Sequence, residues 1–310
     1  MEITTLISSS ILSFLLIYFT QKKFLKDKMT VKINNRSSHN VIATSNGGIA
    51  IFLNLFIFSS LNYLNRVTIF DYSLLIPFAI MVAIGIYDDN KTVDFKLKFI
   101  FQIIVAKIIV DYGFIVDNLH GFIGIYELNY IQAQSLTIFI IVGIINAINF
   151  IDGIDGLAIS IATIFIISFE FFIKNIPEFK NLSFIILGSF IPLIYFNFKK
   201  TNKVFLGDGG SLLLGTLISI YTIFMLSNNY LIKDEFDINK ILFVISILIY
   251  PFIDISRVFF LRMINKKSPF IADKNHIHHI LIKRMNSHLK VTVTISIFSI
   301  ISICLFQIIF

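Results

Sequence analysis

Long apolar runs alternate with short polar connections from one end of the chain to the other. Ten runs can be drawn, at about residues 3–19, 48–64, 72–87, 97–115, 135–151, 157–173, 182–197, 211–227, 240–258 and 290–309. A helix crosses the hydrocarbon of a bilayer with roughly 20 apolar residues, so runs of this length predict membrane spans. The expected fold is all-α, a polytopic transmembrane helical bundle of about ten spans. There is no internal repeat and no low-complexity linker, so residues 1–310 are expected to form a single integral-membrane domain. An even number of spans puts both termini on one side.

One polar stretch organises the rest. Between the apolar runs Leu136–Ile145 and Ile159–Phe169 the chain reads Asn146-Ala147-Ile148-Asn149-Phe150-Ile151-Asp152-Gly153-Ile154-Asp155-Gly156-Leu157-Ala158. An ionised Asp inside a membrane segment costs roughly 2.5–3.5 kcal/mol on insertion scales, so such residues face a cavity, a partner or water. Asp152 and Asp155 are three apart and share a helical face if the helix continues through them. Gly153 and Gly156 permit close approach of a ligand or a second backbone.

Composition excludes a soluble domain: 56% of residues are hydrophobic, 15% are charged and the mean hydropathy is +0.84. The net charge of +7 reads as topology, with no nucleic-acid partner expected. Twenty of the 26 Lys and Arg fall in the connections after the first, third, seventh and ninth runs. Arg66, Lys174, Lys180, Lys233 and Lys240 fall on the other side, and Lys107 lies within a run, where Asp111 four residues on is its expected structural partner. The positive-inside rule then makes the first set cytoplasmic and both termini external. The first run lacks a basic leader and a small-residue cleavage site, and is expected to be a retained span. Cys304 is the single cysteine, so no disulfide forms within the chain.

This orientation gathers the polar motifs on the cytoplasmic face. They are Asp88-Asp89, the Asn149–Gly156 turn, Phe205-Leu206-Gly207-Asp208-Gly209-Gly210-Ser211, and the basic loop 257–290 with His276, His278 and His279. An active site is expected there. Five carboxylates (Asp88, Asp89, Asp152, Asp155 and Asp208) without a thiolate suit Mg²⁺, with Mn²⁺ as the alternative, better than Zn²⁺. The glycine-rich turn at Gly207 suits a phosphate at a helix N-terminus or, more plainly, a helix cap through Ser211. The histidines allow a zinc site, for which Asp273 is the nearby carboxylate, or solvated loop side chains. They also allow hydrogen bonding to an anionic substrate, helped by Arg257, Arg262 and Lys274.

The same residues carry a resemblance. Asp88-Asp89, Asn149-Phe150-Ile151-Asp152-Gly153-Ile154-Asp155-Gly156-Leu157-Ala158, Phe205-Leu206-Gly207-Asp208-x-Gly210-Ser211 and Ser268-Pro269-Phe270-x-Ala272-Asp273-Lys274-x-His276-Ile277-His278-His279 resemble, in order, the signatures of the polyprenyl-phosphate N-acetylhexosamine-1-phosphate transferases. The resemblance implies a bacterial inner-membrane enzyme, with undecaprenyl phosphate attacking the β-phosphorus of a UDP-N-acetylhexosamine, and it makes a homodimer a possible assembly. By matching position it implies that Asp208 binds Mg²⁺, with Asp152 a second ligand, and that Asp88 activates the lipid phosphate, supported by Asp89. It assigns Asn149, Asp152 and Asp155 to the nucleotide and His278 and His279 to the pyrophosphate, with Gly207, Arg257 and His276 expected among the other substrate-binding residues. A phosphate monoester has a second pKa near 6, so Asp88 as a positioning group and a covalent aspartyl-phosphate route both stay open.

Arg36-Ser37-Ser38-His39-Asn40 followed by Gly47-Gly48 is most similar to the branch that starts O-antigen or capsule repeats. Teichoic-acid and enterobacterial-antigen initiators specific for UDP-GlcNAc are the neighbouring alternative. The chain departs from the family at Thr44-Ser45-Asn46-Gly47-Gly48, where Pro-Arg-Gly-Gly is usual. From a different class, an ion-coupled secondary transporter would also place carboxylates in broken helices, but it predicts charges at the midplane and repeat symmetry.

Overall fold

A computed structural model describes residues 2–31, 42–67, 70–91, 93–174, 176–227, 232–233, 239–266 and 275–309. The stretch 36–40 and the 268–274 part of the histidine motif lie outside the described residues. Twelve α-helices follow in order: α1 (Glu2–Lys26), α2 (Gly47–Leu64), α3 (Leu75–Lys91), α4 (Phe95–Asp111), α5 (Tyr130–Ile151), α6 (Leu157–Phe172), α7 (Pro177–Asn197), α8 (Gly207–Ser227), α9 (Lys240–Ile247), α10 (Ile249–Ile264), α11 (Ile277–Met285) and α12 (His288–Ile309).

Each of the ten apolar runs is helical. Seven helices are long and apolar enough to cross a membrane, or eight if the bent α9–α10 pair is one span. The difference from ten lies in α4 and α6, which at 17 and 16 residues are shorter than the usual span. Phe, Ile and Leu side chains such as Ile3, Ile11, Phe139 and Ile301 point outward around the bundle, the surface a lipid environment requires. The chain is a multi-pass membrane helical bundle.

α9 and α10 meet at 71°. Pro251 stands in the first turn of α10, where its missing N–H costs nothing. Its ring would clash with the carbonyl of Ile247 if α9 ran straight on.

α8 is the hub. Over its membrane-length window 94% of residues are buried, against 17% for α1. It packs chiefly on α3 and α5, and α2 closes a third side. At one end of the bundle Tyr221, ringed by Phe165, Phe169 and Phe179, hydrogen-bonds with Ser183 Oγ at 2.8 Å. Glu2 pairs with Lys180 at that end too.

The site forms at the opposite end, where α8 begins. The short strands β1 (Ala43–Thr44) and β2 (Lys203–Val204) pair in parallel. The ladder continues as Phe205 N–H to Thr44 O at 2.8 Å, Gly47 N–H to Phe205 O at 3.0 Å and Gly48 N–H to Leu206 O at 2.9 Å. The N-termini of α2 and α8 are thereby stitched side by side. A Cβ on Gly48 would lie 2.2 Å from the backbone nitrogen of Gly210, and one on Gly85 of α3 2.2 Å from that of Gly209. Glycine is required at both contacts because backbone meets backbone.

Candidate active site

Asp208, one residue into α8, is the centre of the cluster. Its Oδ2 accepts from Lys98 Nζ at 2.8 Å, and its Oδ1 from Asn149 Nδ2 at 3.3 Å. Asn149 Nδ2 also donates to Ser211 Oγ at 2.7 Å, so the last turn of α5 holds the first turn of α8. Lys98 forms a second ion pair with Asp88, whose carboxylate also accepts the Val93 N–H. The Asp208 N–H donates to Asp89 Oδ1 at 3.2 Å, which places the Asp89 carboxylate at the positive end of the α8 dipole. Gly207 adopts φ +73°, and a Cβ there would be 2.7 Å from Asp89 Oδ2 and 2.9 Å from Ser45 Cβ. Asp88, Asp89, Asn149, Gly207 and Asp208 thus converge from three segments of the chain, and Lys98 of α4 joins them as a fourth.

α5 stops at Ile151, and the turn to α6 carries the two remaining carboxylates, which have different environments. Asp152 is half-buried and has no cationic partner among the described residues. Burial, and then the like charges of Asp208, Asp89 and Asp155, hold its carboxyl well above the usual carboxylate range. Asp155 is 7% exposed and pairs with Lys203 from β2. Burial opposes its ionisation, but His288 and Lys203 beside the carboxylate outweigh burial and hold the carboxyl below the usual range. Its backbone is fixed as well: the N–H donates to His288 Nδ1 at 3.1 Å, and Thr292 Oγ1 donates to its carbonyl at 2.8 Å. In this arrangement the Asp155 carboxylate ties the turn to β2 and α12, while Asp152 is the member of the pair facing the other acids.

The histidines reach the same turn. A Cβ on Gly153 would lie 3.0 Å from His278 Nε2 and 3.5 Å from His279 Cε1, and the rings of Phe150 and His276 have centroids 5.7 Å apart. Arg257 donates to the Asn275 carbonyl at 2.6 Å and so braces the approach to His276. His278 is fully buried; burial lowers its imidazole below the ordinary value against the pull of Asp254. Asp254 of α10 accepts from His276 at Nδ1, 2.8 Å away, and from the Ile277 N–H at 2.6 Å.

Four of these residues belong to none of the sequence motifs. Lys98 sits in Phe95-Lys96-Leu97-Lys98, where it reads as one more cytoplasmic lysine, and Lys203 and His288 read as loop residues. Asp254 carried a signal, since an acid inside an apolar run calls for a partner. For the zinc alternative, Asp273 lies outside the described residues. Among those described, the carboxylate beside the histidines is Asp254, whose ligand atom lies with those of His276 and His278 within 4.8 Å of one another. Asn46, at the usual arginine of the family pattern, is buried and turned inward, donating to Thr20 Oγ1 at 2.8 Å and accepting from Thr44 Oγ1 at 2.6 Å.

The glycosyl transferase family 4 model matches residues 72–226, half of the chain. A probable undecaprenyl-phosphate N-acetylglucosaminyl 1-phosphate transferase of Bacillus subtilis is 32% identical over 262 residues, covering 82% of this chain and 70% of the relative. The undecaprenyl-phosphate alpha-N-acetylglucosaminyl 1-phosphate transferase of Escherichia coli is 28% identical over 290 residues, 90% of this chain and 76% of the relative. A decaprenyl-phosphate N-acetylglucosaminephosphotransferase of Mycobacterium leprae is 28% identical over 274 residues, 80% and 69% of the two chains. The matched segment runs from just before α3 almost to the end of α8 and so contains the whole acidic cluster. By these likenesses the chain belongs to glycosyl transferase family 4.

Proposed function

We propose that the chain, as one domain with up to ten membrane passages, transfers an N-acetylhexosamine 1-phosphate from a UDP-sugar to undecaprenyl phosphate. The reaction takes place at the cytoplasmic face of the bacterial inner membrane. A lipid-phosphate oxygen bonds to the β-phosphorus, the bond from that phosphorus to the bridging oxygen breaks, and UMP leaves. The observation that carries this reading is the meeting of Asp88, Asp89, Asp208 and Lys98 at the start of a buried helix, on the face where the basic connections lie. The names of the relatives support a polyprenyl phosphate as acceptor and N-acetylglucosamine as the first donor to try. A role in starting O-antigen or capsule repeats rests on the Arg36–Asn40 and Gly47-Gly48 likeness.

The donor set fits Mg²⁺ or Mn²⁺. It is all oxygen: Lys98 is shared between Asp88 and Asp208, and Asp152 has no cationic partner among the described residues, so the acids outnumber the cations that meet them. Asp208 and Asp152 would hold the ion, which when bound neutralises pyrophosphate oxygens. The remaining work falls to the chain. Asn149 fixes the Asp208 carboxylate, and Lys98 offers a positive charge between the acids. The α8 N-terminus adds the partial positive charge of its dipole, and the histidine arm closes over the turn from the other side.

The engagement of Asp88 by Lys98 and the Val93 N–H supports a positioning role. The acceptor is mostly a dianion above its second pKa of about 6 and needs little deprotonation. On this reading the pH–rate profile of Asp88→Asn runs parallel to wild type between about pH 5.5 and 9; recovery of rate with rising pH would restore the base role. The experiment that tests the function is UMP release by the purified chain, given undecaprenyl phosphate and a panel of UDP-sugars that includes UDP-GlcNAc and 6-deoxy donors. Absence of UMP with every donor overturns the reading.

A further inference from the structure

We propose that Asp254 is a positioning residue for the donor end of the site, fixing which edge of His276 and His278 is presented to the pyrophosphate. The inference rests on the transferase reading above. Asp254 is 1% exposed, inside an apolar helix, and no sequence motif includes it. Both of its oxygens are committed to the histidine arm. Oδ1 accepts the Ile277 N–H at 2.6 Å, and Oδ2 lies 2.8 Å from His276 Nδ1 and 3.6 Å from His278 Nδ1. Tyr250, one turn earlier on α10, places its hydroxyl 3.3 Å from the same His278 nitrogen. One face of α10 therefore takes the Nδ1 edges of both rings.

A carboxylate accepts hydrogen bonds and does not donate them, so His276 carries its proton on Nδ1 and leaves Nε2 for the site. His278 Nε2 is buried, has no partner among the described residues, and points over the Gly153 backbone of the α5–α6 turn. A lone pair or proton there has a reacting group or an anion to meet. The three side chains also meet the loose criterion for a metal site. However, bonds of about 2.0–2.1 Å to a tetrahedral ion separate neighbouring ligands by about 3.3 Å, and the 2.8 Å contact is a hydrogen-bond length.

Asp254→Asn keeps the shape but turns one acceptor into a donor. With its oxygen on the Ile277 N–H, the amide nitrogen opposes His276 Nδ1, and the proton must move to Nε2. The test uses the full-length chain with ¹⁵N-labelled histidine in detergent, His276 being assigned through His276→Gln. The expected result is an Nδ1–H tautomer in wild type, an Nε2–H tautomer in Asp254→Asn, and return to Nδ1–H in Asp254→Glu. In parallel, kcat/KM for UDP-GlcNAc falls by about 10- to 100-fold in Asp254→Asn, the usual loss when the outer partner of a working histidine is removed. KM for undecaprenyl phosphate stays unchanged, and Asp254→Glu recovers part of the loss. An unchanged His276 tautomer in folded Asp254→Asn, equal damage to both substrates, or stoichiometric bound zinc lost on substitution overturns the proposal. A wild type that releases no UMP overturns the transferase reading instead, and the tautomer comparison still decides the role of Asp254.

Discussion

Asp208 has its two oxygens divided between a lysine and an amide, an arrangement that sets direction as well as charge. Asp208→Asn keeps the shape and removes the charge. We expect UMP release to fall by orders of magnitude at saturating Mg²⁺, as when a metal clamp is lost; near-normal turnover would place the ligand elsewhere among the acids. Lys98→Met leaves Asp88 and Asp208 facing each other without their shared cation, and turnover should fall although no motif residue has changed. Asp155 behaves differently. Its carboxyl is held below the usual range, so its contribution is present above about pH 4 and is lost as pH falls through the lowered value. Asp155→Asn should cost about 1–3 kcal/mol at neutral pH. It should also flatten the acid side of a thermal-unfolding profile measured from pH 3 to 7. An unchanged acid limb would mean that Lys203 and His288 find other partners.

At the scale of elements, the start of α8 is held by contacts that leave no room for a side chain. Gly85→Ala puts a methyl 2.2 Å from the Gly209 nitrogen, and backbone cannot yield as the end of a side chain can. Loss of at least 1–3 kcal/mol and of most activity is expected, read as thermal stability and UMP release in detergent. A fully active, stable Gly85→Ala would show that α3 and α8 are free to separate. Gly207, Asp208 and Gly210 were legible in the sequence because glycines beside an acid break an apolar run. Gly85 was not: one glycine inside Ala83-Ile84-Gly85-Ile86 looks like any small residue in a span. Lys98, and the partners of Asp254, were hidden for a related reason. Their meaning lies in partners 110 and 22 residues away, and no local pattern encodes pairings of that kind. That each of the ten apolar runs is helical was legible because hydropathy reports burial in lipid directly. The lengths of α4 and α6 and the break at Leu248 were not, because packing sets where such helices end.

For the whole molecule, α1 begins and α12 ends at the face opposite the acidic cluster, since Glu2 meets Lys180 at one end while His288, opening α12, meets Asp155 at the other. The basic connections give this geometry a direction. In a Cys304→Ser background, a cysteine at Ser287 should resist an impermeant thiol reagent in intact cells, and one at Glu127, between α4 and α5, should react. The reverse result would put the acids outside and remove access to a UDP-sugar. The two-residue ladder between β1 and β2 has a consequence for how the molecule is made. Thr44 and Lys203 are 159 residues apart, and at roughly 5–20 residues per second the ribosome takes about 10–30 s to deliver the second after the first. Until then the Gly47 and Gly48 N–H groups at the start of α2 lack the Phe205 and Leu206 carbonyls that they bond in the finished fold. A nascent chain arrested before Val204 should therefore be inserted, exposed to protease near Thr44, and closed to it only when synthesis passes α8.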